Sequence, residues 1–347
     1  MLARIHRPRR LARRTGSQAE HMTVLVLARD LDPTADRVVT ALNERKVPVF
    51  RTDLAAFPQK LRMSARLSHT GWDGILANEH RQVRLRDIRS VWYRHPSHFV
   101  LPDGMSGPER KYAADEARHG LGGVLSSLDV LWVNHPARES DTVKPRQLDV
   151  ARRCGLTVPD SEVTNEPGSV RAFAADVGGA LASKALSAAA FVESGRLQMA
   201  YTRRIESSEL IDLAGVDTTA HLFQPFLPKA FEARVTVVGE RVFTAAIYAG
   251  SDAARVDFRA DYDSLDYAVI DPPEQVTAGI LAFLKIFGLS FGAFDFIVTP
   301  TDDWIMLECN PSGAYGWLEE ALDLPISSAL ADLLQNGVAT CPATQPT

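Results

Sequence analysis

Cysteine is scarce in this chain: Cys154, Cys309 and Cys341 are its only thiols, and none belongs to a C-x-x-C pair. That excludes a disulfide scaffold and a thiolate zinc site, and it fits a reducing, cytoplasmic setting. Long apolar runs are missing too. None approaches the ~20 residues needed to span a bilayer, so a membrane role is not expected. No G-x-G-x-x-G follows the first apolar strand, and no G-x-S-x-G occurs anywhere. The first absence removes the dinucleotide fingerprint, the second the nucleophile elbow of a serine hydrolase. No basic stripe interleaved with aromatics runs through the body of the chain, so nucleic acid is not an expected partner.

What is present is a globular composition, 347 residues with 46% apolar and 23% charged, enough for two or three domains. The net charge of −5 is unevenly placed: residues 1–22 hold six arginines and one acid. That head lacks an apolar h-region and is no secretory signal. Residues 1–21 are expected to be a disordered basic extension, with Met22 the functional beginning. The tail, 337–347, is also expected to be disordered.

The pattern "TVLVLARD", a polar-apolar stretch from Asp36 to Arg45, then "VPVFRTD" predicts a β-α-β opening. "LRMSARL", "RQVRLRDIRSVWYRHP" and "VLWVNHP" read as further strands, with a helix over Pro108 to Leu128 between the last two. A helix capped by Ser140 or Asp141 and ending at Gly155 opens a second α/β region. Lys184 sits in the short strand "LASKALS". A hairpin turns at Gly239-Glu240, and helices are expected over Pro273–Phe287 and, as one piece, Trp317–Leu334.

The segment "FDFIVTPTDDWIMLECNPSG" is the most informative. With Thr301-Asp302 as its loop, Asp295 lies opposite Glu308, Phe296 opposite Leu307 and Val298 opposite Ile305. Asn310 then joins Glu308 on one face. Two carboxylates ~5 Å apart repel by roughly 3 kcal/mol at an effective dielectric of ~20, so something positive must offset them. Oxygen donors of this kind suit Mg²⁺. A solvated sheet face with incidental acids is the plainer alternative. Lys184, in a buried-looking strand, is costly without an anion, and with Lys144, at a helix start, it suits a polyphosphate; a solvated amine is the plainer alternative for each alone. "QPFLPK" (Gln224, Pro225, Phe226, Leu227, Pro228, Lys229) is a short apolar linker that can offer backbone polar groups to an adenine edge and apolar side chains to its face; a plain interdomain connector is the alternative. Arg234 and Arg259, expected on strands, have the planar fork that suits carboxylate or phosphate. The histidines of "RHPSH" are expected to be loop or packing residues, because Pro96 breaks the helix that would align them.

The ordered set Lys144, Lys184, Gln-Pro-Phe-Leu, Glu-x-Arg, Asp295, Glu308-x-Asn310 resembles the ATP-grasp superfamily over residues 137 to 334. "SVWYRHP", "FLPKAFEARVTVVGERVFTAAI" and "VDFRADYDSLDY" are similar to the ATP-grasp maturases of ribosomal peptides, the graspetide or microviridin-type macrocyclases. The resemblance implies an α/β and α+β fold: a pre-ATP-grasp domain over 22–136, a central lid subdomain over 137–226 and a C-terminal subdomain over 227–336. It implies ATP and Mg²⁺ (two ions, or Mn²⁺ instead) as cofactors. Lys144 and Lys184 would meet the phosphates and Gln224–Leu227 the adenine. Asp295, Glu308 and Asn310 would hold the metal. Lys229 and Glu232 fall in the family's K-x-x-E-x-R stretch, and Arg234 and Arg259 would hold the acyl phosphate or the substrate carboxylate. The implied partner is a ribosomally made precursor peptide, with a leader and a core of Thr, Ser or Lys plus Asp or Glu; dimers or larger homo-oligomers are also implied. The activity would be an ADP-forming carboxylate–amine or carboxylate–alcohol ligase that closes ω-ester or ω-amide rings. An intermolecular ligase adding an amino acid, and an inactive peptide-binding scaffold, are the alternatives. The glycine-rich flap of many ATP-grasp proteins is replaced by small residues, with backbone amides from Ser187 to Ala190 as its substitute. Residues near Arg203-Arg204 are candidates for leader binding.

Overall fold

The computed structural model describes residues 22–187, 190–193, 196–199 and 201–337. The basic head, the tail with Cys341, and Ala188, Ala189 and Gly195 of the flap lie outside the described residues.

The chain opens as the pattern predicts. Thr23–Ala28 is a buried strand and Pro33–Glu44 a helix. Asp32 caps that helix by accepting from the Ala35 amide at 2.9 Å, and Pro33 occupies the first turn, where a missing N–H costs nothing. Val49–Thr52, Thr23–Ala28, Ile88–Arg94 and Leu131–Val133 then form a parallel sheet in that order. "RQVRLRDIRSVWYR" divides between two sheets. Gln82–Arg84 pairs with Gly71–Ala77 and, through it, with Arg62–Ser68 in an antiparallel three-stranded sheet, while Ile88–Arg94 joins the parallel one. The strand Gly71–Ala77 escapes the pattern because two glycines and an aspartate dilute its apolar signal.

The second region has an antiparallel sheet ordered Arg203–Ile205, Leu181–Lys184, His221–Pro225, Glu162–Thr164. Helix Pro167–Val177 packs on it through Val170 and Ala174. A separate hairpin pairs Ala190–Glu193 with Arg196–Met199. The third region is a five-stranded antiparallel sheet ordered Leu265–Val269, Arg241–Ala249, Phe231–Val238, Phe291–Val298, Trp304–Asn310. Alternation gives this sheet two faces. Val235, Phe294, Phe296 and Met306 pack in one core with Ile280, Phe283, Leu284 and Phe287 of helix Glu274–Phe287, the i, i+3, i+4, i+7 stripe of an amphipathic helix. Glu232, Asp295 and Glu308 lie on the other face.

Four expectations need correcting. Ser140 and Asp141 do not cap the Lys144 helix: a short helix, Pro136–Ser140, ends there, and Lys144–Arg153 starts after Val143 without a side-chain cap. The C-terminal helix is two helices, Gly316–Leu322 and Ile326–Asn336, parted by Asp323 at φ +54 and by Pro325, which cannot continue a ladder. Arg259 lies in a single 3₁₀ turn, Phe258–Ala260, and not on a strand. In the 294–313 hairpin, Asp295 does pair with Glu308, but Phe296 faces Met306 and Val298 faces Trp304. The turn is longer, closed by Thr299 and Asp303, and a bulge at Leu307 puts two residues opposite one. The bulge restores the acidic pair that a two-residue loop would have produced.

Helix Ile326–Asn336 packs back on helix Pro33–Glu44 and on strand Ile88–Arg94. Val24, Val26, Leu330 and Leu334 share one core with Val238, Phe291 and Ala293 of the five-stranded sheet. This shared core brings the loops of the parallel sheet up to the acidic face.

Candidate active site

One cavity of about 480 Å³ opens over that acidic face, within the usual size of a small-ligand site. Lys144, Lys184, Gln224, Pro225, Phe226, Leu227, Lys229, Glu232, Arg259, Asp295, Glu308 and Asn310 all line it. Arg234 does not. Its guanidinium stands behind Asp295, with Nη1 bonding both carboxylate oxygens and Nη2 the Ala314 carbonyl at 3.2 Å.

Positive charge offsets the acidic pair from both sides. Lys144 Nζ lies 2.9 Å from Glu308 Oε2 and donates to the Ala185 carbonyl at 2.6 Å. Burial works against the Glu308 carboxylate, but Lys144, Lys184 and Arg259 together hold its pKa below the ordinary value. Asp295 is displaced the other way: burial raises it, with Arg234 opposing and Glu308 adding to the rise. Burial also lowers Lys184 to about 8, against the pull of Glu308 and Glu232. Glu232 is raised by burial and pairs with Lys229.

The oxygen donors fit a hard cation. Asp295 and Glu308 are register partners, and Asn310 is one pleat further on the same cavity wall. Among the described residues no cluster of three or more His, Cys, Asp and Glu side chains forms a metal site; the third donor here is an amide. At the opposite end, Gln224 is 1% exposed and donates to Ser161 Oγ at 2.9 Å, while its buried Oε1 has no hydrogen-bond partner. An unpartnered buried acceptor suits an exocyclic amine. Phe226 is held from one side by Arg204, whose guanidinium lies 4.7 Å from the ring centroid. Arg204 also pairs with Glu206, and Arg203 with Glu209.

Several site residues carry no strong sequence signal. Gln147, 4% exposed, donates to the Cys309 carbonyl at 2.9 Å and accepts from its amide at 2.7 Å. It thereby fastens the Lys144 helix to the strand bearing Glu308 and Asn310; its only trace in sequence is the i, i+3 spacing from Lys144. Asp257 accepts from Arg259 Nε at 2.8 Å and Nη2 at 2.5 Å and from the Thr202 amide at 3.0 Å. His95 and Glu139 complete the wall beyond Asn310. Glu139 is pushed up to about 7 by burial, against the hydrogen bond from Ser312 and the charge of Arg94.

A family model described as the MvdD pre-ATP grasp domain matches residues 23–140. An ATP-grasp ligase associated with RiPP biosynthesis in Chryseobacterium gregarium, solved with ADP and a leader and core peptide, is 26% identical with a TM-score of 0.82, covering 91% of this chain and 97% of its own. The macrocyclase MdnC of Microcystis aeruginosa MRC, bound with precursor peptide MdnA, is 31% identical with a TM-score of 0.79, over 91% of this chain and 100% of its own. The macrocyclase MdnB of the same organism is 30% identical with a TM-score of 0.74, over 90% of this chain and 99% of its own. No curated protein sequence matches. Identity at this level along the whole of MdnC and nearly the whole of MdnB, with the same fold throughout, establishes that the chain belongs to the ATP-grasp macrocyclases of ribosomal peptides.

Proposed function

We propose that this protein activates Asp or Glu side chains of a ribosomally made precursor peptide as acyl phosphates and closes ω-ester or ω-amide rings with Ser, Thr or Lys side chains of the same peptide. The observation that carries the reading is the meeting of Lys144, Lys184, Asp295, Glu308 and Asn310 in one cavity that also contains the Gln224–Leu227 linker. Relatives holding ADP, leader and core peptides support it.

A carboxylate is a poor acyl donor because its charge repels nucleophiles; phosphorylation supplies a leaving group. Catalysis of that transfer is mostly positioning and charge neutralisation. In this reading the linker Gln224–Leu227 seats the adenine. Lys144 and Lys184 reach the phosphates, and Arg259, fixed by Asp257, receives the substrate carboxylate. Lys229 is held by Glu232 beside the nucleotide. Asp295, Glu308 and Asn310 would hold Mg²⁺, which would supply positive charge against the transferring phosphoryl group. Arg234 acts from behind, orienting Asp295.

The test is to incubate the purified chain, ATP and Mg²⁺ with short precursor peptides carrying a leader and a Thr/Asp/Glu-rich core, and to weigh the peptides. Loss of one water per ring, abolished in Glu308→Gln, is the expected result. A mass gain equal to an added amino acid would mean an intermolecular ligase. An unchanged peptide without ADP release would mean a binding scaffold.

A further inference from the structure

Ring closure releases one proton, which the departing phosphate can take and which a base placed beside the nucleophile would take earlier, in the transition state. When a hydroxyl attacks the acyl phosphate, a C–O bond forms to the acyl carbon and the bond from that carbon to the phosphate oxygen breaks. Phosphate leaves with the electron pair, and the hydroxyl proton needs an acceptor. An ammonium nucleophile must shed a proton before it attacks at all. Among the groups lining the cavity, Lys144, Lys184 and Arg259 are cations, Asp295 and Glu308 are assigned to the metal, Glu232 is paired with Lys229, and Glu139 accepts from the Ser312 hydroxyl, which leaves it the rival that the test below includes.

His95 lies on the same cavity wall, past Asn310 and Pro311. Its place is set by one residue, Ser312. His95 Nε2 is 2.9 Å from the Ser312 carbonyl oxygen, which also accepts from Arg94 Nη1 at 2.5 Å. The Ser312 amide donates to Asn310 Oδ1 at 3.2 Å, and its hydroxyl donates to Glu139. A carbonyl only accepts, so Nε2 carries the proton and the ring's lone pair is on Nδ1. The residue holds a left-handed backbone, φ +43, which is uncommon outside glycine. The side chain is thus held on the cavity wall with one nitrogen committed to Ser312 and a lone pair on the other.

Resting on the ligase reading, we propose that His95 accepts the proton of the ring-closing nucleophile at Nδ1. The charged groups around it are Arg94 on its own strand end, Arg29 and Asp32 from the first loop, and Glu139 across Ser312. His95 is exposed as a residue, but local desolvation of its ring at the cavity wall, then Arg94, lowers the imidazole's pKa from its ordinary value, opposed by the Ser312 carbonyl and Asp32. The ring is therefore neutral and able to accept at neutral pH. General-base catalysis is worth typically ~10²–10⁴-fold.

The test separates activation from closure. With the precursor peptide, ATP and Mg²⁺, hydroxylamine intercepts the acyl phosphate as a side-chain hydroxamate, which mass spectrometry distinguishes from the dehydrated ring. His95→Gly suits the left-handed backbone and opens room for an added base. Its ring closure should fall ~10²–10⁴-fold relative to hydroxamate formation, and added imidazole should restore part of it. His95→Asn, which also tolerates this backbone, should fall equally without rescue. In the wild type the ratio of ring to hydroxamate should drop at acid pH, as His95 becomes protonated, and both variants should lose that dependence. An unchanged ratio, or equal loss of both products, would overturn the proposal. So would loss of closure in Glu139→Gln with closure intact in His95→Gly. A wild type forming neither hydroxamate nor ring would overturn the ligase reading and this proposal with it.

Discussion

Arg234 and Asp295 face each other across adjacent strands, and Arg234 Nη1 bonds both carboxylate oxygens, at 2.6 and 2.7 Å. The side chains are only 9% and 15% exposed, so neither charge has water to fall back on. Arg234→Ala leaves Asp295 uncompensated beside Glu308. The expected cost is ~3–5 kcal/mol, as for a broken buried pair, read from chemical denaturation. Asp295→Asn in the Arg234→Ala background should recover part of it, because the stranded charge is then gone. A merely additive double variant would show that the pair is not coupled.

Lys184 should make nucleotide affinity depend on pH. Burial lowers its pKa from 10.5 to about 8 in the free protein, and a phosphate bound beside it, as proposed, would raise it again. Binding therefore takes up a proton above about pH 8. ATP affinity should be flat below that point and weaken up to ~10-fold per unit above it. Calorimetry in buffers of different ionisation enthalpy reads the proton directly, and Lys184→Arg should abolish the uptake. The same depression has the opposite consequence for the free chain. The unfolded state keeps this proton to higher pH, so the contribution to stability rises between about 8 and 10.5.

How much of this was legible in the letters depends on distance along the chain. Asp295 opposite Glu308 follows from one hairpin, and the pairing holds even though the loop is longer than expected, because the Leu307 bulge offsets it. Lys144 at a helix start is likewise a local reading. Arg234 was legible as an arginine on a strand, but its partner comes from a strand 61 residues away, and no local pattern distinguishes a substrate arginine from one held by a carboxylate. His95 reads as a loop residue and is one, directly after strand Ile88–Arg94; its partner, Ser312, lies 217 residues on, beyond the reach of any local pattern. Only the shared core between the first and last regions brings them together. Gln147 is the extreme case, a buried amide that bonds only backbone, twice at Cys309 and once at Thr142.

Gln147→Leu tests that fastening. The substitution leaves the Cys309 amide and carbonyl and the Thr142 carbonyl without a side-chain partner. At ~1–3 kcal/mol for a buried group left unpaired, a loss of ~2–4 kcal/mol is expected. Because the Lys144 helix and the Glu308 strand would part, the Mg²⁺ concentration for half-maximal ADP release should also rise. Gln147→Glu keeps the acceptor but loses the donor, and should fall between. A stability loss with unchanged Mg²⁺ dependence would confine Gln147 to the fold.

Asp257 governs Arg259 in the same way, with effects on the peptide. It is 6% exposed, and its carboxylate takes both Nε and Nη2 of Arg259 while accepting the Thr202 amide. The pairing raises the Arg259 pKa further above its usual value, so the charge of the arginine is never in question; its direction is. Asp257→Asn puts an amide N–H where a guanidinium N–H expects an acceptor. Loss of charge-assisted bonds at ~1.5–3 kcal/mol corresponds to ~10–100-fold in kcat/KM for the precursor peptide. The loss should appear mainly in KM if Arg259 receives the substrate carboxylate before activation. It should appear in kcat if Arg259 bonds only the developing acyl phosphate. Affinity for ATP alone should change little in either case, because Asp257 touches neither lysine nor the Gln224–Leu227 linker. A matching fall in ATP affinity would mean that Asp257 acts through Thr202 on the lid, and that its hold on Arg259 is incidental.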